Sequence, residues 1–407
     1  MKFNKTLIYY ISIFLFFYFT LIIGFLYGED SSGGAVYDFN IHLKTINFFS
    51  DSILNGLKNY NKYQNAHSPI FIIFLKYILS HSEIIGRFFY LNICVLVPLI
   101  FFKSIVQKAK VNLIFAFYLS QFFFLSSYFR SSAIWPGDEN LAILFFLLSV
   151  YFYIKFFNTI SEKEKTKYMI YNIVLLAIAA YWRPIYSLFS IFFFFEFILQ
   201  KFKLKNLLLY LLLSIIFSLP ALYYVFILKI NFFNSYIENY NLINSLALMY
   251  TVLLYYLVPF IFFSFKDIKV NYLNVFFTIL FSLVIFKFFS YETTTGGGIF
   301  FRVQNILYKD NFFFTIIFAL SFFLCNQILE INKIKNLIII GILLFFEIDT
   351  HFYQETYDPL FLICVFLLFD IKIVKNFFND QILKKINFLF IYLIGFWLSK
   401  VIYLYYI

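Results

Sequence analysis

Three carboxylates open the longest polar interval of the chain, residues 28–69: Glu29 and Asp30 side by side, then Asp38 after Ser-Ser-Gly-Gly-Ala-Val-Tyr. An apolar run over 7–27 ends immediately before them. A carboxylate at the end of such a run, partly desolvated by aromatic neighbours such as Tyr27 and Tyr37, holds its proton more tightly than usual and can act as a general base. The alternative is a set of helix-end acids that mark a water boundary; the doublet and the glycine turn favour chemistry. Asp30 is the first choice as base, with Glu29 and then Asp38 in reserve, because its side chain is short and the turn beside it leaves room for a ligand. The interval closes on His67-Ser68-Pro69, where His67 is either a polar residue at a helix start or a contact to an anion.

Later polar stretches add the cations. Arg130 to Asn140 joins an Arg, a Trp-Pro-Gly turn and the acids Asp138 and Glu139. Trp182-Arg183-Pro184 sets an Arg between two apolar runs, which is costly without an anionic partner. Residues 291–309 combine threonines, three glycines and Arg302; backbone N–H groups of such a loop can face an anion, although a flexible loop is the simpler account of the glycines. The patch from Glu347 to Pro359 holds His351, several acids and Tyr357-Asp358-Pro359, at spacings that match no metal motif, so no metal site is expected. Arginine offers a planar fork of donors suited to phosphate and carboxylate oxygens. The expected substrate contacts are therefore His67, Arg130, Asp138, Arg183, Arg302, His351 and Tyr357.

The elements that must carry these residues are membrane helices. Hydrophobic residues make up 63% of the 407 positions and charged residues 13%, against roughly 45–50% and 25% in soluble domains. Apolar runs of about 18–22 residues suffice to cross a core of about 30 Å as helices, which satisfy their own backbone groups in lipid. The expectation is an all-α polytopic protein of about thirteen spans, near 7–27, 84–102, 111–129, 139–158, 168–182, 185–200, 207–229, 246–265, 271–290, 310–329, 336–348, 359–371 and 386–405. The first run is long for a signal-peptide core and lacks an Ala-x-Ala-like site, so it reads as a span. Residues 39–58, with apolar side chains near helical spacing, and 69–80, which is short and holds Lys76, read as interfacial helices. The whole chain, 1–407, is then a single integral membrane domain with 28–83 as its first loop. Cys94, Cys325 and Cys364 all lie in apolar runs and read as core residues.

The net charge of +11 is distributed for topology, which removes the argument for nucleic acid. With the N-terminus inside, the short basic connections around Lys103, Lys163, Lys201, Lys266, Lys333 and Lys372 share one side, which the positive-inside rule makes cytoplasmic. The four histidines and the four arginines, Arg87, Arg130, Arg183 and Arg302, then share the other.

With an acidic site directly after the first span, a long first loop with an amphipathic helix, His67-Ser68-Pro69, the Arg130 to Asp138 loop and Tyr357-Asp358-Pro359, the chain resembles the GT-C superfamily of membrane glycosyltransferases. The resemblance is in particular to bacterial enzymes that use a polyprenyl-phosphate sugar. It implies an inverting transfer on the extracytoplasmic face of the bacterial inner membrane, to a glycan, lipid or protein acceptor, with a first-loop acid as base. Glu-Asp stands where an Asp-x-Asp would be clearer, so a divalent cation is possible but not required by the sequence. A polysaccharide polymerase or ligase is the alternative among enzymes, although those concentrate polar residues in a late loop. A lipid-linked sugar flippase or transporter is the alternative outside enzymes, but the chain shows no internal repeat.

Overall fold

The structure is a computed structural model that describes residues 5–60, 67–109, 111–228, 240–265, 270–292, 296–307, 311–347, 351–379 and 381–406. Among the expectations above, Lys266, the threonines of the 291–309 stretch and parts of the 28–69 interval and of the Glu347 to Pro359 patch lie outside the described residues.

Every regular element among the described residues is helical, and seven helices are long and apolar enough to cross a membrane: Ile8–Leu26, Glu83–Ala109, Asp138–Asn158, Leu204–Ile227, Leu242–Phe263, Asn311–Ile328 and Ile382–Ile402. Helix occupies nearly all of the thirteen expected positions, but several pieces are short. The run 111–129 is broken into α7 (Leu113–Ser120), a tight turn over Gln121–Leu125 and α8 (Ser127–Ile134). Side chains cause the break. Gln121 donates back to the Phe117 carbonyl at 3.0 Å, and the Ser126 hydroxyl accepts the Phe129 N–H at 3.1 Å, so polar groups compete with the continuing helix and cap a new one. Near 359–371 only an eight-residue helix, Leu360–Leu367, forms, and all its residues are buried.

The described residues fall into two compact units within the expected membrane domain. The first, Met1–Phe232 with Phe390–Ile407, contains α1 (Lys5–Leu26), α2 (Ala35–Ile46), α3 (Ile53–Lys58), α4 (Pro69–Leu79), α5 (Glu83–Cys94) and α6 (Leu96–Ala109) before α7 and α8. After them come α9 (Asp138–Asn158), α10 (Glu162–Trp182), α11 (Phe189–Leu199) and α12 (Leu204–Leu222). The end of the last helix, Ile382–Tyr406, also belongs here, packing Phe390 against Phe17 and Tyr118.

Local chemistry sets the boundaries around the first loop. Gly28 adopts φ +64° past the end of α1, and the Glu29 N–H returns to the Gly24 carbonyl at 2.8 Å; glycine supplies this left-handed stop without a Cβ clash. The expected amphipathic helix over 39–58 is divided into α2 and α3, with Ser52 capping α3 by accepting the Asn55 N–H at 3.1 Å. Helix α2 buries Phe39, His42 and Thr45 on one face, against α4 through a His42–Phe71 ring contact. Pro69 begins α4, where its missing N–H has no helical partner to lose.

The second unit, Phe233–Leu389, is built on Leu242–Ser264 packed against Asn311–Ile328, with Tyr272–Phe288 alongside. The Tyr250 hydroxyl donates to Asn326 at 2.9 Å, and Asn274 donates to the Phe323 carbonyl at 3.1 Å. Its three-glycine loop is a built turn. Gly296, Gly297 and Gly298 all have φ near +80°, and the Gly297 N–H donates to the Phe352 carbonyl at 2.7 Å. A Cβ on Gly296 would lie 2.4 Å from that carbonyl oxygen, so glycine is required here by close approach.

Candidate active site in the first unit

The first turn of α9 presents two carboxylates in succession, a placement that the helix N-terminus favours. They diverge. Asp138 turns its Oδ2 to His67 Nδ1 at 2.9 Å, while Glu139 Oε1 accepts from Arg183 Nη1 at 2.7 Å. His67 is fixed from behind by the Tyr60 hydroxyl, which donates to its carbonyl at 2.7 Å, and Arg183 by the end of α10, where Trp182 is seated among Phe71, Phe74 and Phe145. Residues from four separate chain segments thus form one cluster.

Asp38 and His42 stand one turn apart on α2; the His42 ring meets that of His67, and Asp38 lies within the electrostatic field of the cluster. Half-burial pushes the Asp38 carboxyl above its ordinary range; His67 and Arg183 oppose that shift, and the acids Asp138 and Asp30 reinforce it. His42 is 1% exposed and is held neutral, its affinity for a proton driven well below the ordinary value by burial and by the charge of His67. The two imidazoles meet edge to face, with centroids 4.4 Å apart. Burial disfavours the charged form of His67, but Asp138, followed by Glu139 and Asp38, reverses this and raises it to about 9, so the ring is an imidazolium at neutral pH. The arrangement combines a half-buried carboxylate of raised basicity with two fixed cations, each held by its own carboxylate.

Glu29 and Arg130 occupy a second, separate position. Arg130 is 1% exposed and all five of its N–H groups are used: Nε and Nη2 on Glu29 at 2.8 and 2.5 Å, Nη2 on the Thr20 carbonyl at 2.9 Å, and Nη1 on the Thr20 hydroxyl and Phe124 carbonyl at 3.0 Å. Arg130, expected as a phosphate contact, thus spends its donors inside the protein. Burial raises the Glu29 carboxyl, and Arg130, Ser31 and Trp397 more than reverse it, leaving it below the ordinary range and unsuited to take a proton. Gly24 makes room for the pair, since a Cβ there would lie 2.3 Å from Glu29 Oε2.

Asp30, the first choice as base, is engaged in the turn. Its Oδ1 accepts from Ser32 Oγ and the N–H groups of Gly33 and Ala35 at 3.0–3.1 Å, and its Oδ2 accepts from Val36 N–H at 3.2 Å. It thereby caps α2, whose own N-cap residue, Gly34, has no side chain to do so.

The remaining expected residues lie in the second unit. Arg302 is exposed on the ten-residue helix Gly298–Leu307, with its Nε on the Gly296 carbonyl at 3.2 Å. His351 is half-buried, 6.0 Å from the Tyr353 ring. Tyr357 is fully buried and donates to the Leu343 carbonyl at 3.0 Å, so its hydroxyl serves the core rather than a ligand. Two members of the cluster were missed in the sequence, His42 and Glu139. The i, i+4 spacing of Asp38 and His42 on an amphipathic pattern would have found the first. Glu139 adjoins an acid already chosen, but only the pairing with Arg183 distinguishes it. Among the described residues, no group of three His, Cys, Asp or Glu side chains is arranged to hold a metal ion.

No family model, curated protein or solved structure matches the chain.

Proposed function

We propose that this protein is a multi-pass membrane glycosyltransferase that moves a sugar from a polyprenyl-phosphate donor to a glycan, lipid or protein acceptor, with Asp38 as the general base. The observation that carries the reading is Asp38 itself: a half-buried carboxyl of raised proton affinity within the field of His67 and Arg183. An acceptor hydroxyl is a poor nucleophile at neutral pH, and such a carboxylate can take its proton as the new bond forms. The departing phosphate gains charge as the sugar leaves, and a cation fixed beforehand stabilises that charge more in the transition state than in the ground state. Arg183 takes this role in place of Arg130, with His67 in the same cluster. In this reading the N-terminus lies inside, the C-terminus outside and loop 28–69 on the extracytoplasmic face of a bacterial inner membrane, as lysine placement suggests.

The test is transfer of radiolabelled hexose from a polyprenyl-phosphate hexose to envelope acceptors by the purified protein in lipid nanodiscs. Transfer by wild type that is lost in Asp38→Asn supports the reading; uptake of the donor into the lumen of sealed vesicles, with no new glycosidic product, would identify a transporter instead.

A further inference from the structure

The last helix returns to the first unit and sets one side chain on both halves of the buried ion pair. Trp397 Nε1 donates to Glu29 Oε1 at 2.8 Å, and the Arg130 guanidinium carbon lies 4.6 Å from the centroid of the Trp397 ring. Tryptophans of membrane proteins are enriched at the bilayer interface, where the N–H meets headgroups. Here the N–H is spent on a carboxylate 368 positions earlier in the chain. We propose that Trp397 is a positioning residue for the candidate active site: it ties the last helix to Glu29 and Arg130 and so sets where the first loop carries Asp38. The catalytic part of this proposal rests on the transferase reading; the positioning part does not.

The path from Trp397 to Asp38 is continuous. The Glu29 carbonyl accepts from Trp135 Nε1 at 3.1 Å, and Ser31 Oγ bridges Glu29 Oε1 at 2.7 Å and the Ser127 carbonyl at 3.0 Å. The Ser32 N–H donates to Ser131 Oγ at 2.8 Å, after which Asp30 gathers the N–H groups that start α2. Asp38 follows in the first turn of that helix, within the electrostatic field of His67, Asp138, Asp30 and Arg183. Loss of the Trp397 N–H leaves Glu29 Oε1 with Arg130 Nε and Ser31 Oγ, so the pair survives and the fold with it. What loosens is the attachment of the loop to the last helix.

Trp397→Phe keeps an aromatic ring without the donor, Trp397→Leu removes both, and Trp397→His restores a ring N–H. Hydrogen exchange on the full-length protein in nanodiscs is expected to speed up about tenfold at the Ser31 to Val36 amides in the Phe variant, the equivalent of a modestly cheaper local opening. The Leu variant should exceed it and the His variant approach wild type, with the amides of Asn311–Ile328 unchanged in all. In the transfer assay, the acidic limb of the rate–pH profile should move to lower pH in Trp397→Phe as Asp38 gains water; a smaller folded fraction would scale the rate without moving the limb. First-loop exchange equal to wild type in both the Phe and Leu variants would overturn the positioning role, whatever the activity. Faster loop exchange in a protein that transfers no sugar would uphold it and sink only the transferase reading. If the Phe variant fails to fold, Trp397→Leu compared with Trp397→His decides: first-loop exchange equal in the variant without the donor and the variant with it would overturn the positioning role.

Discussion

His67 and Asp138, 71 residues apart in the chain, meet with Nδ1 2.9 Å from Oδ2, and through them the first loop is joined to the start of α9. The pair makes stability depend on pH with a definite sign. His67 is raised from 6.5 to about 9, so its contribution is complete below pH 6.5 and is lost as pH rises through 9. The shift corresponds to at most about 3 kcal/mol. The thermal midpoint of the wild type should fall across this window, and that of His67→Gln should be lower and flatter. A wild-type midpoint unchanged from pH 6 to 9.5 would mean that His67 is neutral.

The two loop aspartates should separate stability from rate. Asp38→Asn is expected to fold and to lose about two to four orders of magnitude in transfer, the usual range for a removed general base. Its raised affinity for a proton places the acidic limb of the wild-type rate above the ordinary aspartate value near 3.8, with activity rising as Asp38 ionises. Asp30→Asn, which keeps acceptor oxygen but removes charge from the cap of α2, should cost about 1 kcal/mol of stability and less than tenfold in rate. The reverse ranking of the two rates would return the base to Asp30.

Arginine-to-lysine changes probe the same division. Arg130→Lys cannot reproduce five planar hydrogen bonds in a site that is 1% exposed, and should cost about 3–5 kcal/mol, as when a buried ion pair is broken. It should be detected as poor recovery of folded protein by size-exclusion chromatography. Arg183→Lys, in a half-exposed pair with Glu139, should fold normally and lose turnover. Well-folded, active Arg130→Lys would show that the pair is dispensable.

Gly24→Ala offers a test that changes a single methyl group. The added Cβ would lie 2.3 Å from Glu29 Oε2 and 2.9 Å from Arg130 Nη2, so the pair must shift or α1 must bend. Overpacking of this kind typically costs about 1–3 kcal/mol. The control Gly395→Ala, in a helix interior with open space around it, should not lower the thermal midpoint and should raise stability by about 0.5–1 kcal/mol.

Membrane character, the absence of strand periodicity and the positions of most helices were legible in the sequence, because hydrophobic run length and local caps are properties of neighbouring residues. The break within 111–129 was not, since Gln121 and Ser126 read as two tolerable polar residues in an apolar run until their hydrogen bonds are seen. The candidate site was legible in part. Asp38, His67, Asp138 and Arg183 were all chosen from their residue types and loop positions, and the fold brings them together.

What the sequence could not rank was one acid against another. Glu29, Asp30 and Asp38 share a loop and a charge, but one is locked to Arg130, one caps a helix and one faces two cations. The sequence by itself determined that this is an all-helical membrane protein with its polar chemistry gathered in a few loops, because burial in lipid acts on composition and on local periodicity. Only the tertiary structure decided which charges are consumed by the buried ion pair and the helix cap and which gather at the start of α9. A carboxylate's proton affinity depends on neighbours brought from tens to hundreds of residues away, and those neighbours come from the packing of helices rather than from the order of the chain.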